Sequence, residues 1–325
     1  MATNHKPRKR KKSNRSSVVT LVTIIIAVVL YLTLSAVDYF VDGVDINMGD
    51  FNIFSLFDKK NEIGDPQLVP EDGEVIFHFI DVGQGDAILV TTPDGNMLID
   101  TSIQAARDEL DKYLAAAGVK DIKYLVLTHP DADHIGNADH VILNYNVENV
   151  ILTDHASTSK TYERMLDALD EKGIEPIIPN VGDTFRLGAL TNTVIAPNDD
   201  YDDPNEMSIV IKSVYGDTSV LLTGDAEVES EKDIVQKWGV ATLRSDILKV
   251  GHHGSTTSTT NAFLNAVDPK IAIISCGEGN KYGHPHDETV EKLMAKGVTI
   301  YRTDKDGSIV FKTDGKEFAL VETRK

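Results

Sequence analysis

The chain has 325 residues, 41% of them hydrophobic, so wholesale disorder is excluded and one large domain with additional segments is expected. Its net charge of −19 is uneven: residues 1–16 carry seven basic side chains and no acidic one, leaving 25 Lys+Arg against 51 Asp+Glu in the remainder, or −26. An acidic body repels polyanions on average, which speaks against a purely electrostatic nucleic-acid binder. The single cysteine, Cys276, excludes an intrachain disulfide and lies in the apolar run 271–276, as a buried structural thiol would.

In chain order, the basic tail 1–16 is followed by 22 residues without a formal charge, Ser16 to Val37, rich in Val, Ile and Leu. That length spans a bilayer and exceeds the apolar region of a cleaved signal peptide, so an uncleaved anchor is placed at 17–37. The preceding basic cluster keeps the N-terminus cytoplasmic and the C-terminal portion outside, so the expected location is the cell membrane, single-pass, with the catalytic domain extracellular. Residues 38–73, punctuated by Gly, Asp and Pro, are expected to be a linker, and 74–325 the folded domain.

Within that domain, strands are expected at 75–80, 87–92 and 96–100, then a helix at 104–117 and a short, wholly apolar strand at 124–127. The second half repeats the grammar: strands at 209–214 and 219–222, a helix at 228–238, strands at 247–250 and 271–275, and a helix at 287–296 with Val290, Leu293 and Met294 on one face. Short strands near 299–302, 308–312 and 317–321 complete the tail. Two mixed sheets with helices outside make an α/β four-layer sandwich. In each half a polar motif follows a strand, where ligands sit in such folds.

The densest motif is Thr128-His129-Pro130-Asp131-Ala132-Asp133-His134-Ile135-Gly136. Two imidazoles and two carboxylates fall within six residues behind an apolar strand. Imidazole nitrogen and carboxylate oxygen suit zinc, manganese or iron(II), and a short loop can aim them at two ions. Asp225 also follows an apolar strand, and His252 and His253 follow another. Adjacent side chains of an extended segment point apart, so His253 is preferred as a ligand and His252 as a substrate contact, with the reverse assignment open. His284 lies in a Gly-His-Pro turn, suited to binding a leaving group or developing negative charge.

The motif resembles the HxHxDH signature of the metallo-β-lactamase superfamily, with Asp131 in place of the second His. This variant resembles the hydrolase domain of ComEC-type competence proteins. The likeness extends through Phe79-Ile80-Asp81-Val82-Gly83-Gln84-Gly85-Asp86-Ala87, Leu98-Ile99-Asp100, Leu222-Thr223-Gly224-Asp225, Lys249-Val250-Gly251-His252-His253-Gly254-Ser255 and Tyr282-Gly283-His284-Pro285. The resemblance implies an αββα sandwich and two metal ions, Zn²⁺ or Mn²⁺, on His129, Asp131, Asp133, His134, Asp225 and His253, with Asp225 bridging. Asp81 is expected to hydrogen-bond near the site without ligating.

Many superfamily members carry a further His before the bridging Asp. Here only His140 and His155 lie in that interval, outside any matching motif, while Asn205 and Ser208 occupy the region, as in the competence-type variant. One metal position is therefore oxygen-rich or weak, which favours manganese and leaves one-metal occupancy open. The implied reaction is hydrolysis by metal-bound hydroxide, with Asp133 orienting the water and His252 or His284 stabilising charge. Ser255 lacks a G-x-S-x-G frame for covalent catalysis. A phosphodiester substrate, possibly DNA, is implied. The alternatives are a phosphodiesterase of cell-wall or choline-bearing phosphate polymers and a non-hydrolytic metal-binding surface protein. No protein partner is evident.

Overall fold

The computed structural model describes residues 68–324. The basic tail, the expected anchor at 17–37 and most of the expected linker lie outside the described residues. Among the described residues, no helix is long and apolar enough to cross a membrane. Leu68, within the expected linker, is fully buried and belongs to the core.

Fourteen strands are described: β1 (Val75–Phe79), β2 (Ile88–Thr92), β3 (Gly95–Ile99), β4 (Asp121–Leu127), β5 (Asn146–Leu152), β6 (Thr184–Leu187), β7 (Leu190–Ala196), β8 (Val210–Tyr215), β9 (Thr218–Leu222), β10 (Ile247–Lys249), β11 (Ile271–Ile274), β12 (Thr299–Arg302), β13 (Ser308–Thr313) and β14 (Phe318–Arg324). They form two seven-stranded sheets, ordered β14-β13-β1-β2-β3-β4-β5 and β12-β11-β10-β9-β8-β7-β6. Each is mixed: β3-β4-β5 and β9-β10-β11-β12 are parallel, the rest antiparallel.

The period-2 geometry of the strands sorts their side chains into layers. Phe77, Phe79, Val90, Ile99 and Val126 meet Ile211, Val220, Ile247 and Ile273 between the sheets. On the outer face of the first sheet, Ile76, Leu125 and Leu127 pack against Leu110 and Leu114 of the helix Arg107–Ala116 and Met165 of the helix Lys160–Lys172. On the outer face of the second, Leu221, Leu248, Ala272 and Ile274 pack against Ile234, Phe263, Leu264 and Leu293. Helices therefore cover both sheets, and the parallel strands are apolar because both their faces are covered. In the helix Asp287–Ala295, Leu293 is fully buried but Met294 is 65% exposed, so Met294 does not share the buried face expected of it.

The parallel strands share a direction, so their C-terminal ends open on one edge. Asp100 follows β3, Thr128 and His129 follow β4, Asp225 lies just beyond β9, His253 beyond β10 and Ser275 follows β11.

Candidate metal centre

After β4, the single helical turn Ala132–Ile135 carries Asp133 and His134, with the His134 and Ile135 amides donating to the Asp131 carbonyl. The turn 81–86 lies directly beneath. Gly85 has φ +117°, and a Cβ there would stand 2.2 Å from the Asp133 carbonyl oxygen, so only glycine allows this approach. The Asp133 carbonyl accepts the Asp86 amide at 3.2 Å, and the His134 carbonyl accepts the Thr101 amide at 2.6 Å.

Three imidazoles are held by Nδ1 and turn Nε2 toward a common centre. His134 Nδ1 donates to Asp100 Oδ2 at 2.8 Å, and His253 Nδ1 donates to the Ser275 carbonyl at 2.9 Å. His129 Nδ1 lies 3.1 Å from Thr128 Oγ1, whose hydroxyl donates to Asp100 Oδ2, and 3.4 Å from Ser208 Oγ. Asp100 thus orients two imidazoles, while its Oδ1 accepts the Thr128 amide. At the centre, His134 Nε2 and His253 Nε2 are 3.3 Å apart, and each is 3.3 Å from Asp225 Oδ2. Asp133 Oδ2 stands 3.5 Å from His253 Nε2. Among the described residues, three sets have ligand atoms within 4.8 Å of one another: His129–His134–Asp225 and Asp133–His134–His253 at the centre, and Asp86–Asp100–His134 behind it.

His129 Nε2 and Asp225 Oδ1 are buried without a hydrogen-bond partner. Unpaired buried polar atoms cost free energy, and here they face an imidazole and carboxylate cluster, the donor set that divalent cations satisfy. The residues present therefore fit a metal centre.

Asp131 is exposed and belongs to none of these sets. Asp81 Oδ1 accepts the Gly83 amide at 3.2 Å and so braces its own turn. His252 is half-buried: its Nδ1 is 2.5 Å from Glu227 Oε1 and its Nε2 is 3.9 Å from Asp225 Oδ2. The backbone at His252 and His253 is left-handed (φ 44° and 53°), not extended. The two rings therefore do not point apart as strand geometry would require: their Nε2 atoms stand 3.9 Å and 3.3 Å from the same Asp225 Oδ2, and the strain of such a turn is of the kind that concentrates at functional sites. His284 stands with ring centroids 5.3 Å from His252 and 6.2 Å from His253, at the rim of the cluster. His140 pairs with Asp111 at 2.8 Å instead.

Several residues at the site carried no role in the sequence reading. Asp100 and Asp86 stood in its motifs, but their partners are distant in the chain. Lys249 is fully buried, its Nζ 2.8 Å from Asp86 Oδ2. Glu206 accepts the amides of Glu227, Glu229 and Ser230, anchoring the start of the helix Val228–Leu243 beside Asp225. Glu231 accepts the amides of Thr259 and Thr260, and burial raises its pKa to about 7.

The electrostatics follow from this crowding. Burial pushes the pKa of His129 well down, reinforced by the charge of His134, so its ring is neutral and able to ligate. Burial also disfavours charge on His134 and His253, but Asp225 with Asp100, and Asp225 with Asp133, outweigh it; His134 is held well above the usual range and His253 at about 9. Burial opposes ionisation of Asp133 and Asp225 as well, yet their histidine partners hold both carboxyls low. Burial, with His252 and His253 beside it, lowers His284 to about 4.

A pH dependence follows. Without metal, His253 keeps its proton up to about pH 9, and a cation must displace it. Metal affinity should therefore rise by up to about tenfold per pH unit above pH 7 and level off near pH 9, measured by competition with a chromogenic chelator. Because the folded pKa is raised, protonation of His253 stabilises the chelated protein below its unfolded value of about 6.5, and this is lost as pH rises through about 9. The Tm of the chelated protein should fall across that window. A pH-independent affinity would show that no proton is displaced.

Asp100→Ala should weaken metal binding by about 10–100-fold, because the rings of His134 and His129 lose their shared anchor. Elemental analysis after dialysis against graded chelator checks this; unchanged metal content would show that the anchor is dispensable.

Helices over two mixed sheets, with a histidine and aspartate cluster at the strand ends, define a metallohydrolase-type architecture. Residues 80–278 match the family described as Metallo-beta-lactamase superfamily, and the chain belongs to that superfamily. It is similar to ComEC-type competence proteins. ComE operon protein 3 of Bacillus subtilis (strain 168) is 34% identical over 260 residues, covering 74% of this chain and 33% of that protein. Competence protein ComA of Neisseria gonorrhoeae is 32% identical over 250 residues, covering 76% and 33%. The chain thus spans about a third of the length of these curated relatives. Among solved structures, the metallo-β-lactamase fold protein YhfI from Bacillus subtilis aligns with a TM-score of 0.50 at 12% identity, over 74% of this chain and 100% of that one, a likeness of fold.

Proposed function

We propose that the chain is a metal-dependent phosphodiesterase acting on a nucleic-acid strand, held at the outer face of the cell membrane by residues 17–37. The observation that carries the enzymatic reading is the convergence of His129, Asp133, His134, Asp225 and His253, with buried Nε2 and Oδ1 atoms lacking partners. The likeness to competence-type relatives, which implies a phosphodiester substrate, supports the substrate class.

In this reading His129, Asp133, His134, Asp225 and His253 would hold the cations, the sets His129–His134–Asp225 and Asp133–His134–His253 each being compact enough for one, with exposed Asp131 outside both. Zn²⁺ or Mn²⁺ so bound would supply an acidified water and Lewis-acid activation of the phosphoryl group. Asp100, Ser275 and Thr128 fix the imidazoles so that Nε2 faces inward. Asp133, ionised and 24% exposed, is the ligand open to solvent and orients the attacking water. Glu227 holds His252 with Nε2 toward the centre, where it donates to a phosphoryl oxygen. His284, neutral at physiological pH, contacts the leaving group from the rim.

Elemental analysis combined with a phosphodiester panel tests this. Turnover of single-stranded DNA with Mn²⁺ or Zn²⁺ is expected, faster than that of teichoic-type polymers. Faster cleavage of the wall polymer would move the substrate, and no turnover with any metal would favour a metal-binding surface protein. Protease treatment of intact cells should remove the catalytic domain; protection would overturn the outward orientation.

A further inference from the structure

A cavity of about 440 Å³ adjoins the metal centre, lined by Gln84, Ile103, Ala132, Asp133, Lys281 and Tyr282, with Asn280 beside them. Its size is that of a small-ligand pocket. Asp133 is common to the cavity and to the ligand cluster, so whatever fills the cavity adjoins that cluster. Tyr282 is 51% exposed, a large aromatic left in water at the edge of an active site. Its ring stacks on His284 at 5.7 Å and 22°, and His284 in turn stands beside His252 and His253. Lys281 Nζ lies 4.8 Å from the Tyr282 ring centroid, over its electron-rich face.

We propose that this cavity is a subsite for one unpaired nucleobase flanking the scissile phosphodiester, with Tyr282 as the stacking platform, Ile103 as an apolar wall and Lys281 as the partner of the neighbouring phosphate. This deepens, and rests on, the phosphodiesterase reading above. Every base has a π face, so stacking on tyrosine is tolerant of sequence. A base inside a duplex already has both faces covered, so the subsite selects single strands. An incoming base takes the ring face that Lys281 now covers and leaves the ammonium beside the strand. The acidic composition strengthens the case for stacking: with few cations to neutralise phosphates, affinity must come from the bases, and its dependence on salt is shallow.

The test uses the metal-loaded full-length chain and phosphorothioate-linked eight-mers, which resist cleavage. Fluorescence anisotropy compares an oligothymidine with the same backbone lacking bases. Wild type should bind the oligothymidine about tenfold or more tighter. Tyr282→Ala should erase that preference, and Tyr282→Phe, which keeps the ring, should retain it. Equal affinity for the two chains in wild type, survival of the preference in Tyr282→Ala, or its loss in Tyr282→Phe would each overturn the proposal. Failure of the phosphodiesterase reading would look different: the base preference would stand, while ordinary phosphodiester-linked oligothymidine went uncut.

Discussion

Asp225→Ala is expected to abolish metal-dependent turnover, by at least about 10³-fold, and to lower bound metal. The reason is charge and geometry together. Asp225 Oδ2 is 3.3 Å from both His134 and His253, while Oδ1 is buried without a partner. One carboxylate therefore faces both central ligand sets, and no neighbouring side chain can replace it in both. It is also the leading charge that raises the pKa of His134 and His253 against their burial. Without it, both imidazoles lose their protons more easily, so the variant's residual metal binding should depend less steeply on pH than that of wild type. Asp225→Asn keeps the volume and separates charge from shape; it should fail as an enzyme while keeping a cooperative unfolding transition. Metal content by elemental analysis and phosphodiester turnover are the readouts. Full activity in Asp225→Ala would remove the shared-carboxylate arrangement.

The sequence exposed what depends on local pattern. Apolar strands ending in polar motifs identified β4, β9 and β10 and placed His129, Asp133, His134, Asp225 and His253 at their ends, where the structure brings them together. It did not expose what depends on distant pairing. Asp100 meets Thr128 and His134, and Asp86 meets Lys249, across long stretches of chain, and nothing near either aspartate announces this. No element is expected from the sequence over 138–196, although that interval holds three strands and two helices. Signals were present there. Ser159 caps the helix Lys160–Lys172 by accepting the Tyr162 amide, Gly173 ends it with φ 65°, and Met165, Ala168 and Leu169 bury one face. Strands β6 and β7 were harder to see, because β6 has only four residues and a largely half-buried to exposed pattern. At His252 and His253 the backbone is left-handed rather than extended, so the rings do not point apart; both Nε2 atoms approach Asp225 Oδ2, at 3.9 Å and 3.3 Å.

Removing Lys249 should destabilise the protein more than removing any surface ion pair. Its side chain is fully buried on β10; Nζ lies 2.8 Å from Asp86 Oδ2 and donates to the Val250 carbonyl at 2.9 Å. The pair joins the second sheet to the turn under the His129–His134 loop, which belongs to the first. Lys249→Ala leaves the Asp86 carboxylate buried without its cation, and breaking such a pair costs about 3–5 kcal/mol. Surface pairs such as Lys270–Asp246 are worth about 0–1 kcal/mol. Asp86→Asn combined with Lys249→Met should recover much of the loss, because the charge is removed together with its partner. Metal affinity should not recover in parallel: Asp86 Oδ1 stands 3.6 Å from His253 Nδ1, so neutralising it changes the surroundings of a ligand even where folding is restored. Urea denaturation of the chelated protein measures the first effect and chelator competition the second. If the single and double variants were equally unstable, the ion pair would not be what joins the sheets at this edge, and Lys249 would act there through packing of its stem.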